Sequence, residues 1–265
     1  MSPGARPRET GAPGQLSQQM PTTILNADAL LAAWERGASQ PPVRRPLILL
    51  SVAWPDVSAE EWAGAGIGER DERLFALREV LFGPDFETIA ACPRCGERLE
   101  LNFRTADICP HRSGNAVGET LQVQMSDYHV EFRLPNTHDL LAVENMESAV
   151  ASSAVLERCI SAASCGDAPL LPSELPAEVM EAVIEQMAGV DAQADLQIAI
   201  SCPGCRHEWT MLFDIASYLW SEIEDWARGF LRDVHVLASL YGWTESEVLS
   251  LSAVRRQIYI DMATG

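Results

Sequence analysis

Four cysteines stand in two near-identical settings: Cys92-Pro93-Arg94-Cys95 and, 107 residues beyond Cys95, Cys202-Pro203-Gly204-Cys205. Apolar residues follow each pair at offsets of four, six and eight: Leu99, Leu101 and Phe103 after Cys95, and Trp209, Met211 and Phe213 after Cys205. A tight knuckle followed by a strand with one buried face explains both halves of the pattern, since strand side chains alternate with period two. Two such knuckles supply four thiolates, and a tetrahedral set of sulfurs suits zinc. The expectation is one structural Zn2+ held by Cys92, Cys95, Cys202 and Cys205. Four protein sulfurs leave no open coordination position, so no metal-activated water is expected.

Other chemistries compete for these residues. A redox CxxC needs only one pair and usually follows a strand of a βαβ unit, whereas both pairs here precede strands. Iron–sulfur ligation by the same thiolates, or a metal-free or disulfide relic of the site, are the remaining readings. His207 lies two residues past Cys205 and is assigned to the knuckle-to-strand junction rather than to the metal. Cys109, Cys159 and Cys165 form no second spaced set, and Cys159 sits in a helical run as a small buried thiol. An odd cysteine count, no signal peptide and a thiolate site point to a reducing cytoplasm.

The rest of the composition argues against catalysis and against nucleic acid. GxSxG, P-loop, HExxH and Gly-rich dinucleotide turns are absent, and no carboxylate pair stands out from a solvated acidic surface, so the chain reads as a non-enzyme. Acidic residues number 38 against 19 basic ones, giving a net charge of −19, and every basic residue is Arg. Residues 101–201 alone hold 15 acidic and 4 basic residues. Such a field repels phosphate backbones, which weakens the alternative of a zinc-ribbon adaptor or a nucleic-acid or transcription-associated protein. The most apolar stretch, Pro46 to Pro55, is half the length a bilayer requires.

The elements that must position the cysteines are legible in outline. The expected class is α+β: mostly helical, with a zinc-ribbon-like β module that is interrupted by an α+β insertion, then a long C-terminal amphipathic helix. Residues 1–22 read as a disordered tail, 23–88 as a helical region, 89–213 as the ribbon with its insertion at about 104–195, and 214–265 as a C-terminal helical segment. Asn26 is expected to cap a helix closed by Gly37, Ser58 to Glu61 to form a capping box before Trp62, and Glu69 to Phe82 to be a helix stopped by Gly83-Pro84. Within the insertion, strands at Leu121–Met125 and His129–Leu134 turn at Ser126-Asp127. Helices are expected after Asn136-Thr137, through Leu156 and Ile160, and over Ser173 to Met187, before a strand at Leu196, Ile198 and Ile200. Leu219, Ile223, Trp226, Phe230, Val234, Leu237 and Tyr241 recur at spacings of three and four, one helix face ending at Gly242. Thr244 to Glu247 and Ser252 then cap two shorter helices.

A family resemblance rests on short segments in a fixed order. The run Asp214-Ile215-Ala216-Ser217-Tyr218-Leu219-Trp220, then Asp233-Val234-His235, Tyr241-Gly242-Trp243, Arg255-Arg256 and Tyr259, resembles the baseplate hub assembly chaperone family of T-even-type contractile phage tails. The likeness is to the versions found in bacterial gene clusters for phage-tail-like contractile injection systems. It extends to Trp34-Glu35-Arg36-Gly37, Pro42-Val43-Arg44-Arg45, Ile67-Gly68-Glu69-Arg70-Asp71, Leu81-Phe82-Gly83-Pro84, both CPxC knuckles and Phe132-Arg133-Leu134-Pro135. The resemblance implies a non-enzymatic assembly factor, chaperone or component, whose partners are baseplate or hub and spike subunits. Zinc would then serve stability and not assembly chemistry. The terminal segment is the expected partner surface, with Tyr241, Trp243, Ile258 and Tyr259 facing the client.

Overall fold

The computed structural model describes Pro21, residues 25–109 and residues 120–264. The tail expected to be disordered over residues 1–22 lies, Pro21 apart, outside the described residues. The Asn26 side chain accepts the Ala29 N–H and opens α1 (Ala27–Ala38), which buries Leu30, Leu31 and Ala33. Gly37 does not close this helix as its position suggested. It is buried inside the last turn, where a Cβ would fall 2.4 Å from the Trp220 ring, and the chain turns at Ser39 instead. Its role is close approach between helices and not a left-handed cap.

A single 3-10 turn at Pro42–Arg44 leads into α2 (Arg45–Ala53), and the Ser58–Glu61 capping box opens α3 (Ala59–Gly64). Helix α4 (Ile67–Phe82) ends at Gly83, whose φ of 90° only glycine adopts easily. Strand β1 (Asp85–Ala91) then pairs antiparallel with β2 (Arg98–Arg104), the first knuckle forming the tip of the hairpin between them. A short turn of helix, α5 (Thr105–Ile108), ends that unit.

The insertion is a second small layer. Strands β3 (Leu121–Met125) and β4 (Tyr128–Phe132) form the expected hairpin, with Ser126 at φ 54° in its turn. The second strand ends two residues early, because Arg133 turns away to pair with Asp139. Helices α6 (Thr137–Ala142), capped by Asn136, and α7 (Ser148–Cys159) follow. The run through Leu156 was expected to stay helical to Ile160, but α7 stops at Cys159 and Ile160 begins β5 (Ile160–Cys165). The free edge of β4 supplies the reason: β5 and then β6 (Ala168–Pro169) extend the hairpin to an antiparallel sheet of order β3-β4-β5-β6. Helix α8 (Ala177–Val190) starts four residues later than Ser173, since Pro172 heads a separate 3-10 turn and Pro176 sits extended at the cap. Its Val179 and Val183 pack on Val123, Val130, Phe132 and Ile160 to give the insertion its own core.

Strands β7 (Gln197–Ser201) and β8 (Glu208–Leu212) repeat the first hairpin around the second knuckle. Phe213 lies just past β8 and is buried, the others of its apolar series being half-buried. Helix α9 (Ile215–Tyr241) begins at an Asp214 cap and ends at Gly242 in the left-handed conformation. Its first turns bury Ile215, Leu219, Trp220 and Ile223 against Leu30, Leu49, Leu50, Leu74, Leu77 and Phe86, the main core. Each such aliphatic side chain contributes about 2 kcal/mol on full burial. Farther along, Ala227 and Phe230 meet Leu31, while α10 (Glu245–Leu249) and α11 (Ala253–Thr264) fold back on the last turns. The long apolar stripe is therefore core over most of its length.

Charged side chains are buried where α4 begins. Glu69, Arg70, Asp71 and Arg73 are exposed by only 4–7 %. The Gly68 N–H donates to the Asp191 carboxylate at 2.9 Å, so a side chain from the loop after α8 satisfies one of the open amides at the start of α4. Arg70 pairs with Asp71 at 2.7 Å, and burial pushes the Asp71 carboxyl up to about 6 against the opposing pull of that guanidinium. At the other end of α4, Arg78 forks onto Glu222 of α9 at 2.7 and 2.9 Å, donates to the Gly83 carbonyl, and lies 3.9 Å over the Phe86 ring. A Cβ on residue 68 would fall 1.7 Å from the Asp191 carboxylate, whereas one on Gly64 meets nothing within 4 Å. Gly68→Ala should cost about 2–3 kcal/mol, and Gly64→Ala should be neutral or stabilise by about 0.5 kcal/mol. Urea denaturation of the two variants checks the contrast; equal midpoints would show that the Asp191 contact does not hold α4 in place.

Candidate metal centre

Each knuckle is built by the same pair of backbone hydrogen bonds. In the first, Cys92 N–H donates to the Glu97 carbonyl at 2.8 Å and Gly96 N–H donates to the Cys92 carbonyl at 2.8 Å. In the second, Cys202 N–H donates to the His207 carbonyl at 2.9 Å and Arg206 N–H to the Cys202 carbonyl at 2.9 Å. The residue after the second cysteine takes positive φ in both, 76° at Gly96 and 57° at Arg206. Sequence likeness has become structural likeness, down to the one residue that the turn forces into left-handed space.

The two hairpins bring their tips together. The Cys92 and Cys205 sulfurs lie 3.6 Å apart, as do those of Cys95 and Cys202, and all four sulfurs fall within 4.8 Å of one another. A metal about 2.3 Å from each of four tetrahedral sulfurs requires edges of about 3.8 Å. The donor set thus fits one tetrahedral ion in number, type and spacing. The sulfurs are too far apart for disulfides, and all seven cysteines are free. Cys92 and Cys202 are buried, Cys205 is half-buried and Cys95 is exposed.

Backbone amides tune the sulfurs. Burial opposes ionisation of Cys92, but the N–H groups of Cys95 and Arg94 point at its sulfur and hold it down at about 7. At Cys202 the Cys205 amide pulls the same way, yet burial and proton sharing with the Cys95 and Cys205 sulfurs push it up to about 12. Deprotonation is therefore easier at Cys92 than at Cys202. Glu97 closes one side: its carboxylate lies 3.4 Å from the Cys202 sulfur and against Gly204, where a Cβ would fall 2.0 Å from the Glu97 oxygen. His207 contributes its carbonyl to the knuckle and stacks its ring 6.0 Å from that of Trp209.

A sequence model of the T4 bacteriophage base plate protein family matches residues 65–220, more than half of the chain. The chain belongs to that family. The match runs from just before α4 to the second turn of α9, so the knuckles, the insertion and the buried start of α4 all lie inside the base plate region. Neither the curated proteins nor the solved structures contain a match to it. Among the described residues, no helix is long and apolar enough to cross a membrane.

The four residues expected to face a partner lie beyond the base plate match. Tyr241 and Trp243 stack at 4.9 Å, and Tyr259 meets the Trp243 ring edge-on at 4.8 Å and the Tyr241 ring at 5.9 Å. Three of the four side chains therefore close on one another and clasp α11 to the end of α9. Arg256 strengthens the same join, bonding to Asp233 at 3.1 Å over the Phe230 ring. Ile258 instead faces out with Met262 of the same expected helix, together with Leu240 and Val254, which the sequence reading passed over. Their spacing on α11, four residues each, was the available signal. For the knuckles, Gly96→Ala should cost about 1–2 kcal/mol although its Cβ meets nothing within 4 Å. Arg206→Gly should gain about 0.5–1 kcal/mol in the equivalent position. Guanidinium melts of both variants test the equivalence, which fails if the two substitutions shift the midpoint in the same direction.

Proposed function

We propose that this chain is a non-enzymatic assembly factor, chaperone or component, for the baseplate or hub of a contractile phage tail or phage-tail-like injection system. Membership of the base plate family over residues 65–220 is the observation that carries the reading. The described polar networks agree with it. The buried charges at α4 are engaged in holding helices together, and the four-sulfur set has no position for substrate or water. In this reading the centre holds one structural Zn2+ through Cys92, Cys95, Cys202 and Cys205. Its contribution is to fold a chain whose ligands are far apart in sequence. The client docks at the C-terminal helical hairpin, where the Tyr241, Trp243 and Tyr259 clasp presents Ile258 beside Leu240, Val254 and Met262. An exposed apolar patch is suited to holding a subunit before assembly.

The metal is tested on the purified protein. Elemental analysis should find one zinc per chain, and X-ray absorption should give Zn–S distances of about 2.3 Å. Cys202→Ser should yield an unstable or insoluble chain, since a structural zinc supplies on the order of 10 kcal/mol. A folded, metal-free wild-type protein would sink the zinc assignment.

The role is tested in the cell. Deleting the gene should abolish assembled particles while their separate subunits are still made, and normal particles in the deletion strain would exclude an assembly role. Truncation after Tyr241 separates docking from folding: a folded truncated chain that no longer retains baseplate subunits supports the hairpin as the docking face. Unfolding, or unchanged retention, places that face elsewhere.

A further inference from the structure

A cleft of about 500 Å³ opens between α1, the Pro42–Arg44 turn, α2 and the start of α3. Leu47 and Ile48 provide an apolar wall, and Arg36, Arg44, Gln40 and Ser51 surround it. Both arginines are exposed. Arg36 spends one N–H on the Ala32 carbonyl. Among the described residues, neither Arg36 nor Arg44 forms an ion pair with a carboxylate. Their neighbour shows the contrast: Arg45 donates to the Gln40 carbonyl and lies 4.8 Å over the Trp220 ring. Apart from the Arg36 bond to Ala32, both guanidinium groups, among the described residues, have N–H donors to offer beside one apolar cleft.

We propose that this cleft docks a short segment of a partner polypeptide in which an apolar side chain is flanked by carboxylates. Guanidinium forks bind carboxylates with two parallel hydrogen bonds, and the Leu47–Ile48 wall accepts the apolar side chain between them. The volume lies within the range of known ligand sites, about 300–1,000 Å³. The cleft is open along one side, however, and a small-molecule site normally encloses most of its ligand. A larger partner supplies the missing cover. Charge narrows the occupant further. The chain carries −19 overall, so a long polyanion or an anionic membrane meets repulsion across its whole breadth, while screening beyond about 8 Å at physiological salt leaves a short segment subject mainly to the local arginines. The proposal stands on the cleft and does not depend on the baseplate role.

The test uses the full-length protein and a labelled synthetic peptide of two leucines flanked by aspartates, with a counterpart carrying arginines for the aspartates. Fluorescence anisotropy should show binding of the acidic peptide alone, weakening as NaCl is raised. The double variant R36E/R44E should lose about tenfold or more in affinity. Ala59→Trp, at an exposed position on the cleft wall, should do the same by filling it, and it carries the test if the charge-reversed protein does not fold. Equal binding of the two peptides, no binding of the acidic one, or unchanged affinity in the variants overturns the proposal. So does equally tight binding of free succinate, or binding to phosphatidylglycerol vesicles in place of the peptide.

Discussion

Two hairpins whose knuckles are 107 residues apart in sequence act as one unit only if both of their ends are fixed. At the tips the four sulfurs meet within 4.8 Å. At the base Phe213 sets its ring edge-on to Phe86 at 5.5 Å and to Phe103 at 5.4 Å, while those two stack at 5.1 Å. Closing a loop of this length costs about 4 kcal/mol in chain entropy. Aromatic pairs contribute about 0.5–1.5 kcal/mol each beyond burial, and with Phe86 and Phe213 buried the base offsets much of that cost. A tetrahedral metal held by the four sulfurs would add on the order of 10 kcal/mol at the tips. The hundred-residue insertion can then keep a core of its own without separating the hairpins.

Helix α4 is the second member of that frame, because it touches both the insertion and the C-terminal helix through charges. Its first turn is held by Asp191 from the end of the insertion, and its last by Glu222 from α9 through Arg78. Arg133 and Arg158 converge on the fully buried Asp139 in the same insertion. Removing Glu222 would leave the buried Arg78 unpaired, which typically costs about 3–5 kcal/mol, whereas the half-exposed Arg133 and Arg158 are partly screened by water. These pairs therefore fix how the elements are oriented, a role that apolar packing alone performs less specifically.

The sequence and the structure part company where a partner decides the conformation. The knuckles were legible because metal-ligand spacing is local chemistry, and the helices α1, α4 and α9 because caps and three-four spacing are local too. Strand β1 was missed: of its residues only Phe86 and Ala90 are buried, and the exposed Ile89 obscures the alternation. Strand β5, Ile-Ser-Ala-Ala-Ser-Cys, has almost no large side chains to declare a period, and it is a strand because the edge of β4 receives it. Nothing near Glu69, Arg70 and Asp71 in sequence announces their burial, or that Thr137 accepts from Arg70 and Asp191 from the Gly68 amide. The four thiolates could be paired from spacing, but the approach of Glu97 to Cys202 across Gly204 needs the folded tips.

Helix α9 connects the N-terminal cleft with the C-terminal clasp. Near Trp220 it supports α1 and Arg45, the helical wall of the N-terminal cleft, and at Tyr241 it carries the aromatic clasp with its outward Ile258. The 21 residues from Trp220 to Tyr241 rise about 30 Å along a straight helix. The cleft and the clasp are thus anchored to well-separated turns of one stiff element. A partner that engages both gains effective concentration only if its own two segments match that span, so geometry, more than the strength of either contact, would select it.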